Sequence, residues 1–296
     1  MAFEGLEGDG GDSSERPVGR QDKRNVLKYN MFTYPPVKSE EPMSGRLQGK
    51  RALIYGGGTG IGFACAEAYA REGAAVFVSG RREGRLQEAV VKLCKFGKAG
   101  LEAGDATIEA DVARVTAKAV SFMGGLDTLL VSSGEGHVGS IFTITPADFR
   151  QVSDVNILPL LLGARAAAPH LLEAGKGSIT VVSSMYGLVG QQERIAYCSS
   201  KAAVIGMVRA MALDFADKGI RVNALCPGYI ETELAFRVAQ QEANPEEALR
   251  RKRLMHAIPR AGRLEEVAAA AVYLAADDAA FTTGQALAMD GGYTIR

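Results

Sequence analysis

The chain has no tryptophan, only three histidines and four cysteines in 296 residues, and its 34 basic residues are balanced by 34 acidic ones. Each shortage removes a class of function. The cysteines (Cys65, Cys94, Cys198 and Cys226) form no CxxC pair, and none stands near a histidine at metal-ligand spacing. They read as reduced packing residues of a cytoplasmic protein, and no metal site is expected. The alternative is a reactive Cys198, although buried free cysteine is usually inert. Zero net charge gives no general attraction to nucleic acid or to an anionic membrane. No apolar run reaches the ~18 residues of a membrane span. The longest, around Ile157 to Leu162, is interrupted by Pro159. The N-terminus is acidic and Gly-rich, unlike a secretory or transit signal.

What remains is a globular composition. Hydrophobic residues make up 47%, charged residues 23%, and glycine occupies 35 positions, which suits an α/β protein able to bury a core without staples. Residues 1–45 stand apart. Met1 to Asn30 is polar and lacks periodicity, and Met31-Phe32-Thr33-Tyr34-Pro35-Pro36-Val37 reads as extended. This extension is expected to be flexible or to pack on the surface, of this subunit or a neighbour. Residues 46–296 form the second unit.

From Lys50 onward short apolar runs alternate with Ala-rich stretches of helical spacing. The runs are Arg51 to Tyr55, Ala75 to Ser79, Thr107 to Ala110, Thr128 to Val131, Ser178 to Val182, Arg221 to Leu225 and Gln285 to Met289. Helical stretches include Gly62 to Gly73 and Ala202 to Asp217. Continuously apolar strands are buried on both faces. Repeated strand-helix-strand units predict an α/β fold, a doubly wound parallel sheet with helices on both faces. Ligands in such sheets bind at the carboxyl ends of the strands.

The first strand runs into Tyr55-Gly56-Gly57-Gly58-Thr59-Gly60-Ile61-Gly62, and a helix follows. Glycines let the backbone turn tightly and approach a pyrophosphate, and the helix N-terminus presents N–H donors to that anion. A flexible loop without ligand is the alternative. The second strand ends in Gly80-Arg81-Arg82, where an NAD site usually has an acid for the adenine ribose. Guanidinium groups suit a 2′-phosphate, so NADP is favoured, with NAD as the alternative. Ordinary solvated charges are the other reading of the two arginines.

Tyr197 and Lys201, four apart at the start of an Ala-rich helix, share one face. Free tyrosine, with a pKa of about 10, exchanges protons poorly at neutrality. An ammonium about 4–6 Å away can lower that value by about 1–3. The pair is therefore expected to act as one unit, a tyrosine made acidic by a lysine. Upstream, Ser184 ends a predicted strand, and Asp154-Val155-Asn156 precedes another helix.

With these motifs in order, the sequence from about Leu47 to Tyr293 resembles the short-chain dehydrogenase/reductase family, in look closest to its 3-oxoacyl-carrier-protein reductases. The resemblance rests on Gly56 to Gly62, Asp111-Val112, Asn156, Ser184, Tyr197, Lys201, Asn223 to Gly228, and Gly284 with Asp290-Gly291-Gly292. It implies a single-domain Rossmann-type fold and hydride transfer between a nicotinamide cofactor and a ketone or secondary alcohol. Tyr197 would protonate the carbonyl oxygen and Ser184 would hold it. Lys201 would tune Tyr197 and bind the nicotinamide ribose, and Asn156 would support a water in a proton relay. Gly56, Gly58, Thr59, Gly60 and Ile61 would take the pyrophosphate, Arg81 and Arg82 the adenine ribose, Asp111 and Val112 the adenine. Ser132, Ser133 and Gly134 would lie along the cofactor. Pro227, Gly228, Ile230 and Thr232 would line the nicotinamide pocket. It implies a homotetramer or homodimer.

Three departures stand out. Tyr55 replaces the family's usual threonine and is expected to disturb the turn or crowd the pyrophosphate. Val131-Ser132-Ser133-Gly134 replaces Asn-Asn-Ala-Gly, losing an amide that braces the sheet. Thr59 replaces a basic residue common in NADP-specific members.

The other readings are plainer. His137 is expected to face solvent, and His170 to be structural. Met185, Tyr186, Leu188 and Val189 either wall the substrate pocket or belong to the core. Glu231 to Ile258 resembles the family's mobile lid, and Arg250-Arg251-Lys252-Arg253 is a solvated face or a contact for an acyl carrier's phosphate. Three functions compete. The foremost is an NADP(H)-dependent reductase of 3-oxoacyl-type ketones. The others are an NAD-dependent alcohol or hydroxysteroid dehydrogenase and a catalytically silent nucleotide-binding scaffold.

Overall fold

The computed structural model describes residues 45–240 and 244–296. The expectation for the N-terminal extension lies outside them. Among the described residues, seven strands are joined by eight helices in the order β1 (Arg51–Tyr55), α1 (Gly60–Arg71), β2 (Ala75–Gly80), α2 (Glu83–Leu93), β3 (Ala99–Ala103), α3 (Glu109–Met123), β4 (Thr128–Val131), α4 (Pro146–Glu173), β5 (Gly177–Val182), α5 (Ile195–Phe215), β6 (Ile220–Pro227), α6 (Glu233–Ala239), α7 (Pro245–Leu254), α8 (Leu264–Ala275) and β7 (Ala286–Met289).

All strands are parallel, ordered β3-β2-β1-β4-β5-β6-β7. The chain starts in the middle, winds outward through β2 and β3, and returns to β4 on the other side of β1. The carboxyl ends of β1 and β4 therefore diverge into a crevice. The central strands bury both faces because helices cover both. Leu53, Tyr55 and Leu129 pack towards α3, α4 and α5, while Ile54, Val76 and Leu130 pack towards α1 and α8.

The third strand is Ala99–Ala103, not Thr107 to Ala110. As an edge strand it pairs only with β2, and it carries Gly100 and a charged Glu102. It therefore lacks the continuous apolar signal of a doubly covered strand. Thr107 instead starts the turn into α3. The Asp105 carboxylate accepts from the Thr107 N–H at 2.9 Å and from its hydroxyl at 2.7 Å, a local bond that favours a helix entry over a strand.

Helix α4 runs for 28 residues straight through Pro159. A capping box between Thr145 and Asp148 starts it. Val152, Asn156, Leu160, Ala164, Ala167 and Leu171 recur every three or four residues as its buried stripe. It is long and apolar enough to cross a membrane by length and composition, more than the sequence reading allowed. Here its buried stripe packs beside α3, α5 and the sheet.

Candidate active site

The glycine loop is shaped by close approach. Gly56 and Gly57 donate to the Ser79 carbonyl at 2.8 and 3.1 Å. Gly56 has φ +79°, and a Cβ there would lie 2.8 Å from Ser133 N. At Gly62 a Cβ would strike the Gly56 carbonyl. Helix α1 opens at Gly60 with no side-chain cap from Thr59 and no acid in its first turn. Its N–H donors and positive dipole end are left for an anion, and the cradle fits a pyrophosphate. A Cβ on Gly58 would lie 3.2 Å from Leu86, and Ile61 packs on the α1 side of the sheet. Tyr55 does not crowd this loop. Its ring points into the core, where the hydroxyl donates to the Val112 carbonyl at 3.1 Å and bonds Thr116 Oγ1 at 3.0 Å. Burial pushes its pKa up to about 12.

Arg81 and Arg82 are exposed at the end of β2. Arg82 Nη2 reaches Thr59 Oγ1 at 3.4 Å, bringing its guanidinium to the phosphate loop. The adenine-side residues need correction. Asp111 and Val112 lie on α3, because the third strand ends eight residues before Asp111. The Asp111 carboxylate accepts from the Asp105 N–H at 2.9 Å and pairs with Arg114, bonds that hold it below its usual pKa. Val112 is core. Asp105 and Ala106 occupy the strand-end position. Their signal was the Asp105–Thr107 turn, hidden by the displaced strand.

After β4, Ser132 N donates to the Tyr55 carbonyl at 2.8 Å. Ser132 and Ser133 are half-buried. A Cβ on Gly134 would lie 2.8 Å from Asn156 Oδ1 and 3.2 Å from Lys201 Nζ, so only glycine fits. Val131 fills core space where the family's amide would stand.

The four proposed catalytic residues converge at the ends of β4 and β5. Ser184 is buried just after β5, and its hydroxyl accepts from the Tyr186 N–H at 3.2 Å. Its hydroxyl also favours ionisation of Tyr197, which stands in the first turn of α5. Lys201, one turn on, is buried; its Nζ donates to the Val182 carbonyl at 3.0 Å and lies 5.7 Å from the centre of the Tyr197 ring. Asn156 accepts from the Glu135 N–H at 2.9 Å and donates to the Glu135 carbonyl at 3.1 Å and to Ser200 Oγ at 3.0 Å. Ser200 donates to the Tyr197 carbonyl at 2.9 Å, tying Asn156 to α5. Sequence reasoning passed over Ser200, although it sits inside the Tyr-to-Lys motif.

The electrostatics differ from expectation. Burial raises the Tyr197 phenol above its ordinary value, opposed by the Ser184 bond and the nearby charge of Arg194. Burial also lowers Lys201 to about 8. Lys201 Nζ bonds a carbonyl and stands over the ring, and desolvation of the Tyr197 phenol outweighs the anticipated acidification. A protonated phenol beside a hydroxyl is a proton donor.

Around this centre, Tyr186 meets Tyr197 edge-to-face at 6.4 Å and Tyr293 at 6.0 Å. Met185 is core, whereas Leu188 is exposed. The loops after β4 and β5 are zipped together. Gly139 N donates to the Glu193 carbonyl at 2.8 Å, Ile195 N donates to the Gly139 carbonyl at 3.3 Å, and Gly139 and Arg194 form a parallel bridge. Arg194 Nη1 donates to the His137 carbonyl at 3.1 Å. His137 is half-buried, not solvent-facing, and its Nδ1 is buried without a partner.

On the far side, Pro227 ends β6 and Gly228 follows. Ile230 is buried and bridges Gly262. Thr232 accepts from the Ala235 N–H at 3.1 Å, and its Cγ2 lies 3.9 Å from where a Gly60 Cβ would be. The two sides of the crevice thus meet at Gly60 and Thr232. In the lid region, Arg250 pairs with Glu247 and Arg253 with Glu231. Among the cysteines, Cys65 and Cys226 are buried, but Cys94 is exposed and Cys198 half-buried; these two are not core packing residues.

A family model described as Enoyl-(Acyl carrier protein) reductase matches residues 56–294. With its seven-stranded parallel sheet and Ser-Tyr-Lys arrangement, the chain belongs to the short-chain dehydrogenase/reductase family and is an NAD(P)-dependent oxidoreductase acting on alcohols and ketones. It is 38% identical to the glucose 1-dehydrogenase of Gluconobacter oxydans, over 86% of this chain and 95% of that one. It is 36% identical to 2-(S)-hydroxypropyl-CoM dehydrogenase 3 of Xanthobacter autotrophicus, over 85% and 99%. Among solved structures, a short-chain type dehydrogenase/reductase from Mycobacterium marinum aligns with a TM-score of 0.79 at 35% identity, covering 84% of this chain and 97% of that one.

Proposed function

We propose that the chain is a cytoplasmic, NADP(H)-dependent reductase of 3-oxoacyl-type or similar ketones, with Ser184, Tyr197, Lys201 and Asn156 as its catalytic set. The observation that carries this reading is the gathering of Ser184, Tyr197, Lys201 and Asn156 at the ends of β4 and β5, with the Tyr197 phenol held protonated by burial. When bound, the nicotinamide supplies the hydride. Tyr197 gives its proton to the carbonyl oxygen, which Ser184 holds by hydrogen bond. Lys201, which with Asn156 lies against Gly134, would then pass a proton back to Tyr197 by way of a water that Asn156 supports. Arg82 at Thr59, with Gly80 in place of an acid, supports NADP over NAD. Asp105 and Ala106 take the adenine-side role. The ion pairs of Arg250 and Arg253 favour a free ketone over one carried on an acyl carrier. Ala202, Ala203, Gly206, Ala210 and Leu213 form an exposed face of α5, which supports a homodimer or homotetramer. A monomeric mass by light scattering would refute that assembly.

The test is a screen of 3-oxoacyl thioesters, cyclic ketones and steroid ketones at the NADPH absorbance, with NADH in parallel. Turnover with NADPH, abolished in Tyr197→Phe, is the expected result. Turnover only with NADH and alcohols would move the assignment to an NAD-dependent alcohol dehydrogenase. Nucleotide binding without turnover, unchanged in Tyr197→Phe, would make the chain a silent binding protein. In Arg81→Asp, NADPH affinity should fall; if it holds and NADH affinity does not rise, the NADP assignment fails.

A further inference from the structure

The Pro227–Thr232 loop, assigned above to the nicotinamide side, is tied by main-chain bonds from Gly228 N to the Met289 carbonyl at 3.0 Å and from Gly262 N to the Tyr229 carbonyl at 2.9 Å, and a histidine adds a side-chain tie. Tyr229 N donates to His256 Nε2 at 3.2 Å, and His256 Nδ1 lies 2.6 Å from the Asp290 carbonyl. A carbonyl only accepts and a backbone N–H only donates, so the ring carries its single proton on Nδ1 and accepts at Nε2. His256 is 2% exposed and has both nitrogens in use. It follows the end of α7 by two residues, where the lid rejoins the body. Gly228 passes beneath the ring so closely that a Cβ would lie 2.7 Å from Cε1.

The other end of this contact is the C-terminal turn. The Asp290 carboxylate accepts from the N–H groups of Gly292 at 3.0 Å and Thr294 at 2.8 Å. That turn presents Tyr293 edge-on to His256 at 6.0 Å. From Tyr293 the edge-to-face contacts continue through Tyr186 to Tyr197. The reaction chemistry derived above makes no use of His256, yet nicotinamide loop, lid end and substrate wall all meet at its ring.

We propose that His256 is a positioning residue, joining the Pro227–Thr232 loop to the C-terminal turn and so fixing the nicotinamide side of the crevice against the aromatic wall of the substrate cleft. This rests on the assignment of that loop to the cofactor. Burial lowers the pKa of His256, and the groups facing it are Asp290, Tyr293 and Arg296 from the C-terminal turn and Tyr229 from the loop. Protonation would place a second donor against the Tyr229 N–H and release the loop.

Two amides separate the ring's two bonds. In His256→Asn the side chain reaches only as far as Nδ1, so it keeps the Asp290 bond and loses Tyr229. In His256→Gln an amide oxygen reaches the Nε2 position and accepts from Tyr229. NADPH dissociation constants by fluorescence, KM and kcat for a ketone, and thermal midpoints are measured for all three proteins. The expected result is an NADPH Kd about 10-fold higher in His256→Asn, the size of one lost buried bond, and close to the parent value in His256→Gln. The parent Kd should also rise at acid pH, and His256→Gln should remove that rise. Equal weakening in both variants, tracking their thermal midpoints, or no weakening in either, would overturn the proposal. Parent protein that binds neither NADPH nor NADH would overturn the cofactor reading itself.

Discussion

The ammonium of Lys201 donates to the main-chain carbonyl of Val182 at 3.0 Å, tying the helix that carries Tyr197 to the strand end that carries Ser184. Tyr197 and Ser184 are thus held in register by a lysine that is itself buried. Removing that lysine should disturb geometry as well as proton supply. Lys201→Met should lower kcat with the best ketone by about 10²–10⁴-fold, the usual worth of general acid–base assistance. Tyr197→Phe should lower kcat as much while leaving the NADPH dissociation constant near its parent value. Steady-state kinetics beside fluorescence titration will separate the two.

Lys201 also sets a pH dependence of stability. Its folded pKa, about 8, lies below the ordinary lysine value of 10.5. Between these limits the unfolded chain holds a proton that the folded protein has released, so this residue's contribution to stability rises with pH across that window and is absent below it. The gain over the full window is on the order of 3 kcal/mol. Urea unfolding from pH 7.5 to 9, below the range where buried Cys65 and Cys226, whose pKa values burial raises, pull the other way, should show the rise in the parent. Lys201→Met should show a smaller one; identical slopes would refute the assignment.

Gly134→Ala tests the junction between the loop after β4 and the catalytic pair. The added methyl would meet Asn156 Oδ1 at 2.8 Å and Lys201 Nζ at 3.2 Å, neither of which can withdraw without losing a bond. Overpacking of this kind costs about 1–3 kcal/mol. A lower thermal midpoint and a clear loss of kcat are expected together.

Tyr55→Phe should cost stability without affecting the site. It removes a buried hydroxyl from Thr116 and from the Val112 carbonyl, far from the phosphate loop. Stability should drop by roughly 1–3 kcal/mol, with NADPH affinity unchanged. A loss of affinity would show that the ring bears on the loop after all.

Much of this was legible in the sequence because buried parallel strands advertise themselves. β1 and β4 have the predicted boundaries, and β5 and β6 lie within one or two residues of them. The edge strand β3 was misplaced, because a strand covered on one side can carry Gly100 and Glu102 and loses the apolar signature. That error moved the strand-end position from Asp105 to Asp111. The spacing of Tyr197 and Lys201 fixes a shared helix face, and the structure has it. The direction of the Tyr197 shift could not be read this way, since it depends on how deeply the ring is buried and where Lys201 Nζ points. Ser200 and His256 escaped for a related reason: their partners lie 44 and 34 residues away.

The backbone bridge between Gly139 and Arg194 limits how this enzyme can be redesigned. Joined by main-chain bonds, the two segments behave as one ribbon, and lengthening either alone would tear the seam beside Tyr197. Room for bulkier compounds is better sought by exchanging side chains along the ribbon than by lengthening either segment.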